Sequence, residues 1–117
     1  MLSVKTKIGK SDVHGIGLFA DQFIAMGTII YNEDKYTINI TLDEYSKLND
    51  ISKNFFDTYS YMNSGVYKCS LDNDRFMNHS DNPNTIDISD KTIARFDINK
   101  GDEITCNYND LGIVKLM

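Results

Sequence analysis

The stretch Leu71–Asn84 reads LDNDRFMNHSDNPN and sets how the rest of the chain is read. It holds the only Pro, Pro83, one of the two His, His79, and a run of Asn and Asp. Residues of this kind favour turns because their short polar side chains bond the nearby backbone. Composition alone therefore predicts a surface loop. Within it, Arg75-Phe76-Met77-Asn78-His79-Ser80 sets two large apolar residues directly against an Asn-His-Ser triplet. That mixture fits a loop pinned to a core on one side and offering hydrogen bonds on the other.

Outward from this loop, the chain has the composition of an ordinary soluble globule. Its 117 residues are 41% hydrophobic and 25% charged, which suits one domain with a single core. Residues 1–117 are expected to form that one domain. No apolar run approaches the length of a membrane helix, and the N-terminal MLSVKTKIGK lacks the apolar centre of a signal peptide. The expectation is a soluble intracellular protein, cytoplasmic first and nuclear second. The net charge of −5 argues against nucleic acid, which needs a basic face. It fits a cationic protein partner, and equally fits mere solubility. Cys69 and Cys106 are too few for a disulfide framework or a zinc cluster, and read as buried thiols.

Upstream of the loop, residues 2–9 suggest a first strand. Gly15 and Gly17 flank Ile16, a spacing that alone predicts a tight turn or a close backbone approach. Thr28–Tyr31 and Tyr36–Ile40 favour strands. Thr41-Leu42-Asp43-Glu44 fits a capping box, which predicts one short helix ending near Asn49. Phe55, Phe56, Tyr59, Tyr61 and Tyr67 form an aromatic-rich segment around a turn at Asn63-Ser64-Gly65. Val66–Leu71 alternates, placing Tyr67, Cys69 and Leu71 on one face. Downstream, Thr85–Ile88, Lys91–Ile98 and Glu103–Tyr108 read as strands, with Thr92, Ala94 and Phe96 sharing a face. Asn99-Lys100-Gly101 supplies a turn. The pattern is many short strands and little helix.

Three blocks together resemble the SET domain of protein-lysine methyltransferases. The first is His14-Gly15-Ile16-Gly17-Leu18-Phe19-Ala20. The second is Arg75-Phe76-Met77-Asn78-His79-Ser80 with Asn82-Pro83-Asn84. The third runs from Ala94 to Thr105 and on through Cys106-Asn107-Tyr108. The resemblance covers roughly residues 4–110 and is closest to minimal, single-domain viral and bacterial forms. It implies a mostly-β fold of the β-clip type: several small curved sheets, one or two short helices and a C-terminal pseudo-knot. It further implies a methyl donor, S-adenosylmethionine, and a lysine side chain of a protein as acceptor.

By the same resemblance, Tyr108 is the catalytic tyrosine. Gly15, Ile16, Gly17, Tyr61, Arg75, Phe76, Asn78 and His79 are the cofactor-binding residues. Tyr59, Cys106 and Tyr108 line the substrate channel. The implied substrate is a protein, basic or Lys-rich in keeping with the acidic chain. No metal, nucleic-acid or membrane partner is implied. Two features depart from the family pattern. Cys106 stands where Phe or Tyr is usual, two residues before the catalytic tyrosine. The Cys-rich post-SET zinc segment is missing, and the short apolar Leu111–Met117 would either fold over the channel or bury against a second copy in a homodimer. The alternative is a non-catalytic SET-like module that binds a peptide or protein.

Overall fold

The computed structural model describes residues 1–109; the expected role of Leu111–Met117 in a dimer lies outside the described residues. Short strands separated by turns dominate, as the sequence pattern predicts. Strand β1 (Thr6–Lys10) pairs antiparallel with β2 (Ile16–Ala20), Ile8 facing Leu18 across the ladder. The strand near the end of the chain, β10 (Glu103–Cys106), adds to the other edge of β2 and pairs parallel with β7 (Asn78–His79). The resulting order is β1-β2-β10-β7.

A second sheet contains β3 (Ile29–Asn32), β9 (Lys91–Ala94) and β8 (Thr85–Ile88), in the order β3-β9-β8. The third has β6 (Val66–Ser70) between β4 (Thr37–Thr41) and β5 (Tyr61–Asn63). The core lies mainly under the first two sheets. Leu18, Ala20, Ile24, Ile30, Ile98 and Ile104 are essentially inaccessible to water. Met77, Ala94 and Cys106 complete this cluster, and Tyr108 packs against its edge. Both cysteines are buried and not in a disulfide.

Two helices join β4 to β5. Helix α1 (Leu42–Ser46) starts in the expected capping box: Thr41 Oγ1 accepts from the Glu44 N–H, and Glu44 Oε1 accepts from the Thr41 N–H, both at 3.0 Å. It stops well short of Asn49, because Asn49 caps a second helix by accepting the Ser52 N–H at 2.9 Å. This second helix, α2 (Asp50–Tyr59), corrects the reading of Phe55, Phe56 and Tyr59 as residues around a turn. Aromatic residues favour strands as well as helices, and their i, i+4 spacing is the feature that decides here. The rings of Phe55 and Tyr59 lie 5.1 Å apart along the helix.

Other expectations fail at strand ends. Leu71 and Phe96 lie beyond β6 and β9 and are exposed, so neither shares the buried face of its expected neighbours. The last strand ends at Cys106, and its Thr105 is buried as well as Ile104 and Cys106. A strict inside–outside alternation suits a half-solvated sheet, whereas a strand enclosed on both faces buries successive residues. Thr105 fits because its polar groups are bonded. Its N–H donates to Asn84 Oδ1 at 2.9 Å, and its carbonyl accepts from Thr85 Oγ1 at 2.7 Å. The segment Asn78–Thr85 thus grips β10 twice, once through β7 and once through Asn84 and Thr85. No helix among the described residues is long and apolar enough to cross a membrane.

Candidate active site

The glycine loop is built around a polar knot. Ser11 Oγ accepts the N–H groups of Val13 and His14, at 2.9 and 3.2 Å, and closes the turn before Gly15. Gly15 has φ +49°, in the left-handed region, and no atom lies within 4 Å of where a Cβ would stand. The space beside its Cα is therefore open, while its carbonyl accepts the Ser11 N–H at 2.8 Å. Gly17 differs. A Cβ there would come within 2.6 Å of Glu103 Oε2 and 3.0 Å of Ser11 Cβ, so this glycine serves internal packing.

Glu103 and Asn78 hold this loop to the strands behind it. The Ser11 hydroxyl lies 2.6 and 2.8 Å from the two Glu103 carboxylate oxygens. The buried Asn78 side-chain amide lies 2.9 Å from the His14 carbonyl, 3.2 Å from that of Ile16 and 3.0 Å from Glu103 Oε2. One amide group therefore joins β7, β10 and the glycine loop. The Asn78 side chain is occupied in tying the loop down.

His79 takes the next step toward the reacting region. Its Nδ1 accepts the Tyr108 N–H at 3.1 Å, which leaves the ring proton on Nε2, facing Asp81 Oδ1 at 2.9 Å. The Tyr108 hydroxyl donates to the Met77 carbonyl at 2.8 Å. Tyr108 is thus held at both ends by residues flanking Asn78. Burial, reinforced by Cys106, raises the pKa of its hydroxyl against the opposing effect of the His79 contact. The group stays a neutral phenol and acts through hydrogen bonding.

Beyond Tyr108 opens a cavity of about 240 Å³. Tyr31, Tyr59, Tyr61 and Tyr108 give it an aromatic lining, with Met77 and Cys106 among the apolar contributors. Asp74 and Arg75 add polar groups from the 3₁₀ turn Asn73–Phe76. Burial also raises the Tyr61 pKa, as does the charge of Glu33. The Arg75 Nε is buried with no hydrogen-bond partner among the described residues. Its guanidinium carbon sits 5.0 Å from the Phe76 ring centre, and that ring meets Tyr59 edge-on at 5.4 Å.

The sequence-predicted residues fall into two adjoining groups. Tyr59, Tyr61, Arg75, Cys106 and Tyr108 line the cavity. Gly15, Ile16, Gly17, Asn78 and His79 lie along the glycine loop and β7, outside that lining, and Tyr108 bridges the groups through His79. Phe76 stands behind Arg75 and Tyr59. Sequence reasoning passes over Ser11, Glu103, Tyr31 and Asp74. Glu103 carries a faint signal, a charged residue opening a strand next to the Gly101 turn. Ser11 and Asp74 read as turn-forming residues with near partners, Val13 and Ser70, and only the fold brings Glu103 to the one and the cavity to the other; Tyr31 carries no signal.

The model of the SET domain family matches residues 15–109, spanning the glycine loop, the Asn78-His79 strand and Tyr108. The chain belongs to the SET-domain family. No curated protein matches the sequence. Among solved structures, a Plasmodium falciparum protein described as a candidate histone methyltransferase is 29% identical, with a TM-score of 0.63. The match covers 92% of this chain and 95% of that one. The Chaetomium thermophilum Polycomb Repressive Complex 2 matches at 22% identity and TM-score 0.69, over 92% of this chain and 16% of the other. A structure of the same complex bound to S-adenosylmethionine matches at 23% identity and TM-score 0.66, covering 92% and 15%. At these identities the two complexes speak for the fold alone. The small sheets and short helices of this chain are those of a SET domain.

Proposed function

We propose that this SET domain is a protein-lysine methyltransferase that uses S-adenosylmethionine. The observation that carries the reading is the placement of Tyr108, a neutral phenol held between His79 and Met77 at the wall of an aromatic cavity. The residues present fit the cofactor on two counts. The space beside the Gly15 Cα is open to an approaching ligand. The buried, unbonded Arg75 Nε is a donor suited to a cofactor acceptor atom. Gly15, Ile16 and the main chain of Asn78 and His79 would hold the group on one side of Tyr108, with Tyr61, Arg75 and Phe76 beside it.

When bound, S-adenosylmethionine supplies an electrophilic methyl group on sulfur. The remaining requirements fall to this chain: a neutral amine, little water and a fixed line of approach. A free lysine has a pKa near 10.4, so only about one in a few thousand is neutral at pH 7. The tyrosine-lined cavity disfavours the ammonium by desolvation. On this reading the Tyr108 hydroxyl orients the acceptor nitrogen, and its bond to the Met77 carbonyl holds it in position.

Cys106 leaves more room beside Tyr108 than the usual aromatic would, so more than one methyl group is expected on the same lysine. Mass spectrometry showing a strictly monomethylated product would count against this. The first test of the whole reading is calorimetric titration of the protein with S-adenosylmethionine, with Asn78→Ala in parallel. Saturable binding weakened by the substitution is expected. Absence of binding at high micromolar cofactor would sink the enzyme reading and leave the peptide-binding module.

A further inference from the structure

Strand β4 forms an open edge that neither the cavity nor the glycine loop uses. Among the described residues it has a neighbouring strand on one side only, β6. The Thr41 N–H donates to Glu44 Oε1, and the Thr37 N–H to the Asp34 carbonyl at 3.3 Å, so neither turns toward β6. Main-chain direction alternates along an antiparallel strand. Asn39, midway between the two, therefore also points its N–H and carbonyl outward. Open edges are usually guarded by charges, bulges or Pro. The edge strand β1 carries Lys7 and Lys10, and the edge strand β8 carries Asp87. β4 has no charge and no Pro, and its register with β6 runs unbroken from Thr37 to Thr41.

The sequence of this strand is palindromic: Thr37-Ile38-Asn39-Ile40-Thr41 reads the same in both directions. Two copies laid edge to edge about a two-fold axis at Asn39 run antiparallel. Thr37 of one copy then stands opposite Thr41 of the other, Ile38 opposite Ile40, and Asn39 opposite Asn39. The two Asn39 main chains exchange N–H···O=C bonds, and the Ile pairs fall on one face of a continuous sheet. The flanking residues continue the match in kind, Tyr36 with Leu42 and Lys35 with Asp43. Tyr36, Ile38 and Leu42 are 49%, 42% and 53% exposed, which leaves apolar surface for the second copy to cover. Lys35 and Asp43 bring opposite charges together. Asp43 otherwise pairs with Lys47 of its own chain at 2.9 Å, a contact with both side chains largely exposed and therefore weak.

We propose that β4 is the surface through which two copies of this chain associate, antiparallel about Asn39, joining their β4-β6-β5 sheets into one. This surface is distinct from the Leu111–Met117 segment that the sequence suggests for a homodimer. The β5 strands, whose Tyr61 and Asn63 line the cavity, lie at the two outer edges of the joined sheet, so the contact leaves them free. A strand-to-strand contact is smaller than a standard interface of about 20–30 residues a side, which sets the expected dissociation constant in the micromolar range.

The test is sedimentation equilibrium of the whole protein over about 1–500 μM. The mass is expected to rise from 13.3 kDa toward twice that value. Asn39→Pro removes the outward N–H and spares the β4–β6 ladder, so it should stay monomeric across the range with an unchanged thermal melt. Ile38→Lys keeps every main-chain donor and sets a charge opposite Ile40. It should weaken association by about tenfold or more, and it serves as the test if Asn39→Pro does not fold. Charge reversal reads the register. Lys35→Asp and Asp43→Lys should each weaken self-association by about three- to tenfold, and mixing the two variants should recover it, because opposite charges meet again in the mixed pair. A wild-type protein that stays monomeric at the highest concentration overturns the proposal. So does a dimer that survives both Asn39→Pro and Ile38→Lys, since it assembles through another surface. A mixture that associates no more tightly than either charge variant alone overturns the register about Asn39. Association through β4 needs neither cofactor nor turnover, so its failure leaves the methyltransferase reading intact.

Discussion

Two polar regions of this SET domain lie either side of Tyr108 and differ in one respect. In the knot of Ser11, Asn78 and Glu103, the polar side chains find their partners within the chain. In the cavity, Arg75 Nε has no partner among the described residues, and Asp74 has only Ser70. Satisfied buried networks rigidify and define a single packing. Partly satisfied ones are poised for something from outside. The contrast separates residues that build the site from residues left open to a ligand, even though both kinds sit within one short stretch, Asp74 to Asn78.

Substitutions that break one side and spare the other sharpen this contrast. The largest effect is expected at the junction. Tyr108→Phe should lower kcat by roughly 10²-fold or more, because on the proposed reading it removes the hydroxyl that orients the acceptor. Cofactor binding measured by calorimetry should survive. Retained turnover would remove Tyr108 from its assigned place. Within the knot, Gly17→Ala drives a methyl group into Glu103 and should cost about 1–3 kcal/mol in chemical denaturation. A melt unchanged from wild type would show that the loop relaxes freely.

Asn78→Ala should also destabilise the fold, by about 1–3 kcal/mol, since it strips donors from the His14 and Ile16 carbonyls and from Glu103. Because the same bonds set the glycine loop, its cofactor affinity should fall with its stability. A stability loss with affinity intact would uncouple the knot from the cofactor. On the cavity side the sign reverses. The folded pKa of Asp74, about 6, lies above its ordinary 3.8, so the enclosed carboxyl favours folding when protonated. That stability is fully present below pH 3.8 and is lost as pH rises through 6. Asp74→Asn removes the cost and should stabilise the protein by about 1 kcal/mol at pH 7–8, after discounting for partial exposure. The gain should vanish near pH 4. A destabilised variant at pH 8 would place Asp74 among the structural groups.

Much of this contrast was hidden from the sequence, for a definable reason. Asn78, His79 and Tyr108 were legible because they sit in contiguous blocks with a family pattern. Their division of labour was not. Asn78 spends its amide on carbonyls more than sixty residues away, and His79 serves as acceptor for the Tyr108 N–H. Glu103 reads in sequence as the exposed start of a strand, and only the approach of Ser11 and Asn78 makes it a hub. Asp74 reads as one more turn-forming Asp until β3 and β5 bring Tyr31 and Tyr61 around it. Helix α2 was missed because Asn49 serves as a cap for the following helix and not as the end of the preceding one.

By itself the sequence determined the local and repeating features of this protein. These are the mostly-β class, the capping box at Thr41, the turns at Gly65 and Gly101, and the family blocks that carry Gly15, Asn78 and Tyr108. Such features depend on residues within a few positions of one another, where backbone sterics and short-range hydrogen bonds decide. Only the tertiary structure decided that β10 lies between β2 and β7, and that Gly17 is needed to clear Glu103. It also decided that Asp74 shares a cavity with Tyr108. Those outcomes depend on close packing and polar satisfaction between distant segments, which become defined once the core has closed.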